Sequence, residues 1–449
     1  MISMRGAPQS WGRYPRVKPE RVVPVYWREE MPDLASFKQP VLPYAYGRSY
    51  GDSCLNEGGV VLDVSNLKRF IAFDEEKGVL RCEAGVSFAE VLALVVPRGW
   101  FLPVTPGTKF VSVGGAIAND VHGKNHHKAG TFGCHVTQFA LLRSDGQCLI
   151  CSPEQNSELF RATIGGLGLT GVILWAEFRL KPIANAAIVM DSIRYSSLEE
   201  FRAITDASDE DFEYTVAWVD CLAGGKEVGR GLFMRGNHAP AGENTLDKAP
   251  KKMSLTVPLD CPTFLMNTAT IKAFNTFYYH AQLSKRVHKV VHYNPFFYPL
   301  DAILHWNRVY GKRGFFQYQC VVPFEHGYEV MHEIMLRIAR SGEGSFVTVL
   351  KKFGDVASPG MLSFPRPGLT LALDFPNNGR HSLRLFDSLD ELVRQSGGAL
   401  YPAKDARMPA EDFQGYYPQW REFERFIDPH FSSSFWRRVT TSRTSAVLA

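Results

Sequence analysis

Residues 162–173, Ala162-Thr163-Ile164-Gly165-Gly166-Leu167-Gly168-Leu169-Thr170-Gly171-Val172-Ile173, contain a literal match to the dinucleotide fingerprint G-x-G-x-x-G at Gly166 to Gly171. What flanks this stretch decides the fold. The fingerprint works only where a strand precedes it and a helix follows, because the helix N-terminus holds the pyrophosphate. Here residues 157–163 read as a helix before it, and the alternating run 172–180 reads as a strand after it. The order is reversed, so a Rossmann domain is excluded. Working outward, 136–151 reads as a β-hairpin with Ser144-Asp145-Gly146 as its turn. Residues 60–64 form a strand before a Ser65-Asn66 turn, and 79–83 form another, closed by Ala84-Gly85. Ser87 and Glu90 make a capping box for a helix that buries Val91, Leu92, Leu94 and Val95 and stops at Pro97.

The chain has 449 residues, enough for two or three domains. With 45% hydrophobic residues and 31 Phe, it can bury a large core, and disorder is excluded as its main state. Fifty Lys and Arg against 46 Asp and Glu give a net charge of +4, too weak a basic excess for a nucleic-acid reader. No apolar run approaches the roughly 18 residues of a membrane helix, and the N-terminus has no apolar stretch of the signal-peptide kind. The expectation is a cytoplasmic enzyme. Eight scattered cysteines do not suggest a disulfide framework. The glycine-rich character stops near 182–186, and the chain then reads as a second, α+β domain with helices near 328–340 and 383–395 and a strand near 345–350. The expected domains are 1–185, 186–400 and a C-terminal segment 401–449, with 238–290 read as a long, partly mobile insertion.

Three glycine-rich loops could carry chemistry: Tyr46-Gly47-Arg48-Ser49-Tyr50-Gly51-Asp52, Pro106-Gly107-Thr108, and Gly114-Gly115-Ala116. Glycines let backbone N–H groups approach phosphate oxygens, and three such loops together suggest a large diphosphate cofactor. Cys148 and Cys151 face opposite sides of a strand, which rules out their pairing as metal ligands. His122, His126, His127, His135 and Cys134 match no standard metal spacing and read as a ligand-lining loop, so no metal is expected. Lys404, in Tyr401-Pro402-Ala403-Lys404, and the polar pairs at Gln317/Gln319 and Lys351/Lys352 stand near strand ends and are either pocket groups or solvated side chains.

Read together, residues 43–53 (PYAYGRSYGDS), 106–108 (PGT), 113–133 (VGGAIANDVHGKNHHKAGTFG) and 162–173 resemble the FAD domain of the vanillyl-alcohol-oxidase, or PCMH-type, flavoproteins. The resemblance continues through 297–311, 314–323, 362–368, 373–376 and 400–407 (LYPAKDAR) to 428–439, so it spans nearly the whole chain. It implies an α+β protein: a two-subdomain FAD-binding domain, a cap domain built on an antiparallel sheet, and a C-terminal tail returning to the first. It places FAD against Gly47, Arg48, Ser49, Tyr50, Gly51, Asp52 and Ser53, then Gly107, then Ser112, Val113, Gly114 and Gly115. Asn119, Asp120, Val121, His122, Ile173 and Tyr401 complete that site. Covalent members carry a histidine in the first glycine loop; here that stretch is Ser49-Tyr50-Gly51, so non-covalent FAD is expected.

The resemblance also makes Lys404 the active-site lysine, with His122 beside it, and gives Lys124, Gln319, Lys351, Phe353 and Thr370 as substrate contacts. Two positions depart from members that act on prenyl-phosphate sugars, which have a cysteine where Ala372 stands and an asparagine where Thr370 stands. The implied reaction is FAD-dependent oxidation of the 2′-hydroxyl of a polyprenylphosphoryl-β-D-ribofuranose by hydride transfer. A separate NAD(P)H-dependent keto-reductase would then complete epimerisation to the arabinofuranose donor. The proton acceptor is not assigned by this reading. Such a lipid would be met peripherally at the inner face of the plasma membrane, with Lys251, Lys252, Lys285, Arg286 and Lys289 as candidate headgroup contacts. The alternatives are an aldonolactone or sugar-alcohol oxidase acting on a soluble substrate and, from another class, a catalytically silent flavin-binding partner.

Overall fold

A computed structural model describes residues 8–242 and 255–441. The reversed fingerprint has the flanks read from the sequence: helix Ser157–Thr163 before it and strand Val172–Arg179 after it. That strand is central in a five-stranded antiparallel sheet, in the order Phe70–Asp74, Val79–Glu83, Val172–Arg179, Val136–Leu142, Cys148–Cys151. The last two form the expected hairpin, which Gly146 turns at φ 83°. Cys148 is exposed and Cys151 buried. A parallel sheet of Arg21–Pro24, Val60–Asp63 and Val41–Tyr44 lies beside it. Val41, Val60 and Leu62 of the parallel sheet share one apolar core with Ala140, Val172 and Leu174 of the antiparallel one.

The capping box is formed: Glu90 N–H donates to Ser87 Oγ, and Ser87 N–H donates to Glu90 Oε2. Helix Phe88–Val95 buries Phe88, Val91, Leu92 and Val95, whereas Leu94 is half-buried. One 3-10 turn containing Pro97 follows before Gly99 ends it at φ 78°.

From residue 187 the chain builds an eight-stranded sheet in which every neighbouring pair is antiparallel. Its order is Arg286–His292, Ala187–Tyr195, Gly231–His238, Tyr214–Val219, Thr348–Phe353, Gly368–Pro376, Phe315–Val322, Ala399–Leu400. Strand alternation gives its two faces different work. Tyr318, Cys320, Leu371 and Leu373 pack in one core with helices Gly327–Ser341 and Arg380–Gln395, which bury Ile334, Ile338, Leu385 and Leu389. Gln317, Gln319, Thr370 and Ala372 face the other way, toward the first two sheets.

Two expectations need correction. The strand expected at 345–350 begins three residues later, at Thr348; before it, Asp374 N–H is shared between the Ser345 side chain at 3.0 Å and Val347 O at 3.3 Å. The stretch 238–290 is not one insertion: Thr268–Ala281 is a capped helix and Arg286–His292 is an edge strand of the large sheet. Residues 243–254, with Lys251 and Lys252, lie outside the described residues.

The last described residues run back along the N-terminal part: Phe431 bridges Val41, and Ser434 N–H donates to Leu55 O. In helix Ser434–Thr440, Arg438 pairs with Asp52 at 2.6 Å and with Asp405 at 2.9 Å, and both carboxylates are buried. Replacing Arg438 by Met strands two acids in the interior. The variant loses about 3 kcal/mol in urea-unfolding free energy, whereas a surface arginine such as Arg421 changes it by less than about 0.5.

Candidate active site

A cavity of about 940 Å³ lies between the loops of the first two sheets and the inner face of the large sheet. At one end, the Arg48 guanidinium sits 4.2 Å from the Trp11 ring centre, and its Nε donates to Phe110 O. Gly47 has φ 57°, and a Cβ there would fall 2.2 Å from Gln9 O. Gly107 has nothing within 4 Å of a Cβ position, so its face is open. Ser112 caps helix Val113–Ala118 by accepting from Gly115 N–H, and a Cβ on Gly114 would press on Ala84 at 2.9 Å.

At the other end, Lys404 Nζ lies 3.9 Å from the centre of the Tyr50 ring. Lys351 Nζ donates to Gly123 O and Lys124 Nζ to Phe297 O, each at 3.2 Å. Burial lowers all three amines: Lys124 and Lys404 to about 8, and Lys351 to about 7, where repulsion from Lys124 and Lys404 adds to the effect. Gln319 Nε2 lies 3.0 Å from His122 Nε2 and 3.3 Å from Thr370 Oγ1. Burial, reinforced by Lys351, drives His122 far below its usual range, so the ring is neutral. With Nε2 accepting from Gln319, the ring proton sits on Nδ1, which is buried with no partner among the described residues. Tyr401 OH donates to Asn119 O at 2.7 Å and fixes the floor between the two ends.

Most of the sequence-derived candidates meet here. Gly47, Arg48, Ser49, Tyr50, Ser53, Gly107, Ser112, Gly114, Gly115, Asn119, Val121, His122, Ile173 and Tyr401 line the cavity, as do Lys124, Gln319, Lys351, Thr370 and Lys404. Five others stand behind the lining. Gly51 packs against the Asp405 backbone, where its Cβ would lie 1.6 Å from the carbonyl oxygen. Asp52 is taken up by Arg438. Val113 is core. Asp120, at φ 40°, accepts from Gly133 N–H, Ser358 and Ser363. Phe353 supports the rings of His122 and His126 from behind. Trp11, Thr105, Asp301 and Trp218 also line the cavity and were not anticipated. Thr105 precedes the Pro106-Gly107-Thr108 loop and Asp301 lies in the 297–311 stretch, whereas Trp11 and Trp218 adjoin no motif and only the long-range fold brings them in.

These residues fit FAD. The cleft is glycine-lined along one side, Ser53 Oγ and His122 Nδ1 are buried polar atoms without partners among the described residues, and three amines gather at the far end. The FAD-binding-domain family model matches residues 29–152, and fold and site together define an FAD-dependent oxidoreductase. The chain is 39% identical over 413 residues, 89% of each protein, to the decaprenylphosphoryl-beta-D-ribose oxidase of Mycolicibacterium smegmatis, and it belongs to that family. It is also 33% identical over 374 residues to an uncharacterized Streptomyces coelicolor protein, covering 79% of this chain and 100% of that one. To the human Delta(24)-sterol reductase it is 35% identical over 117 residues, 26% of this chain and 23% of the reductase.

Gly114→Val tests the cleft. The added side chain must displace Ala84 or the helix start, so the purified variant carries at most a tenth of the wild-type flavin, read from its visible absorbance, while far-ultraviolet circular dichroism is unchanged.

Proposed function

We propose that the protein oxidises the 2′-hydroxyl of a polyprenylphosphoryl-β-D-ribofuranose to the 2′-keto sugar, and that a separate NAD(P)H-dependent reductase completes the epimerisation. The observation that carries this reading is the inner end of the cavity, where Lys404, Lys351 and Lys124 surround the neutral pair His122 and Gln319. The name of the mycolicibacterial relative supports the substrate class.

Bound FAD supplies the hydride acceptor. The chain does the rest. The loop from Gly47 to Ser53, with Gly107 and the helix start at Ser112, holds the cofactor's diphosphate end through open backbone and Arg48. The absence of histidine from Ser49-Tyr50-Gly51 supports a non-covalent cofactor. Gln319 and Thr370 offer hydrogen bonds that orient the sugar, and His122 offers its free Nδ1–H. Lys404 places a positive charge where negative charge arrives with the hydride. Lys351 and Lys124 suit the substrate's phosphate. Ala372 puts a methyl group, not a thiol, at the centre of this face, so thiol-directed covalent inhibitors have no target there.

The same reading supports peripheral contact with a bilayer. No helix of the described residues is long and apolar enough to cross a membrane. Near the cavity, however, Phe264, Phe277 and Leu283 are 73%, 72% and 85% exposed, while Phe274, Tyr278, Lys289 and Leu304 line its rim. Apolar side chains beside Lys289 are a composition suited to an anionic interface, whereas Lys285 and Arg286 are paired with Glu200 and Asp191.

Three experiments test this. Anaerobic addition of a prenylphosphoryl ribose bleaches the flavin and free aldonolactones do not; bleaching by the lactones favours the soluble-substrate oxidase. Lys404→Ala keeps its FAD and loses at least a hundredfold in reduction rate, and an unchanged rate removes the lysine from the mechanism. In co-sedimentation, the protein follows vesicles containing anionic lipid, and the double variant Phe264→Ser/Phe277→Ser does so at least fivefold less.

A further inference from the structure

The inner face of the large sheet changes character across the cavity. Gln319, Thr370 and Lys351, on strands Phe315–Val322, Gly368–Pro376 and Thr348–Phe353, are its polar part. Beyond them on the same face come Val349, Val216, Trp218, Met234 and Met190, all lining the cavity. The register makes these one continuous apolar lane. Ala372 stands opposite Val349, Val349 opposite Trp218, and Val216 opposite Met234. From strand Gly368–Pro376 to strand Gly231–His238 the lane crosses three strand spacings of about 4.8 Å each. Between Lys351 and Lys289, which stands on the edge strand Arg286–His292, the cavity lining on these strands holds no charged side chain.

An aromatic collar stands over the lane. Trp218 donates its indole N–H to Phe346 O at 3.0 Å, which ties its one polar atom to the backbone. Tyr278 meets the Trp218 ring edge-on at 4.8 Å, Phe274 stacks on Tyr278 at 5.9 Å, and Phe346 meets Phe274 at 5.7 Å. Phe274 and Tyr278 are one turn apart on helix Thr268–Ala281, so they share a side of it. Both line the cavity and both remain exposed, so the collar joins the lane to the apolar surface that carries Phe277. An apolar lane left open to water is unfavourable, and a free sugar would leave it wet. An amphiphile would not: its charged head meets the amines and its chain covers the lane.

We propose that this lane binds the part of the substrate's prenyl chain nearest the phosphate. The phosphate is held at Lys351 and Lys124, the chain runs over Val216, Trp218 and Met234, and it leaves past Tyr278 and Phe274 toward the bilayer. This rests on the oxidase reading above and adds that a segment of the lipid is drawn out of the membrane into the protein.

The test uses full-length holoenzyme in vesicle-free buffer, with farnesyl phosphate below its micelle concentration as the probe and isothermal titration calorimetry as the readout. Farnesyl phosphate binds at least a hundredfold more tightly than inorganic phosphate, with the negative heat-capacity change of apolar burial. Met234→Trp, which blocks the lane, weakens farnesyl phosphate at least tenfold. Met234→Gln, which keeps the side chain's size, weakens it at least fivefold and leaves the affinity for inorganic phosphate within twofold. The surface variant Phe264→Ser/Phe277→Ser binds farnesyl phosphate as wild type does. Equal wild-type affinities for farnesyl and inorganic phosphate overturn the lane. So does a farnesyl phosphate affinity that survives both Met234 variants, or that falls as far in the surface variant. Farnesyl phosphate has no sugar to oxidise. Its lane-dependent binding to a protein that prenylphosphoryl ribose fails to bleach therefore assigns the failure to the oxidase reading and not to the lane.

Discussion

The contact on which the site depends is the approach of Gly51 to the Asp405 backbone, so close that a Cβ would sit 1.6 Å from the carbonyl oxygen. It lets the turn at 401–405 lock three parts of the chain together. Tyr50 N–H donates to Ala403 O, Tyr401 N–H donates to Gln319 O on the large sheet, and Tyr401 OH reaches Asn119 O. Arg438 then closes the arrangement from the C-terminal helix by pairing with both Asp52 and Asp405. Lys404 is carried by this turn, so its place over Tyr50 follows from the backbone and not from the freedom of its own long side chain.

The second constraint is electrostatic. Three buried amines gather where the sheet meets the glycine loops, and burial is the leading cause of each depressed pKa. Their positive charge is shed as pH rises through about 7 for Lys351 and about 8 for Lys124 and Lys404. An anionic occupant pulls each value back up, by the linkage that ties ligand binding to protonation. The three amines together therefore favour an anionic occupant, and the neutral His122–Gln319 pair supplies hydrogen bonds without adding to the repulsion.

Local chemistry was readable in the chain; long-range chemistry was not. The capping box at Ser87, the hairpin turn at Gly146 and the reversed order about Gly166 each depend on neighbours within a few residues. The glycine loops and Lys404 were legible through their motifs. Asp52 and Asp120 lie inside the stretches whose resemblance implies cofactor contacts, yet their partners Arg438 and Ser363 lie 386 and 243 residues away. Helix Thr268–Ala281 was hidden because just Ile271, Asn275 and Tyr279 are buried, while Phe274 and Phe277 point outward and blur the apolar stripe.

The proposed reaction takes the hydride from the carbinol at C2′ of a prenylphosphoryl ribose inside this cavity. Deuterium at C2′ of that substrate tests it most directly, with flavin absorbance followed anaerobically in a rapid-mixing experiment. Reduction is expected to slow several-fold with the label, with no effect of deuterium at C3′. Equal rates for the labelled and unlabelled C2′ substrates, with a slowing at another carbon, would contradict it.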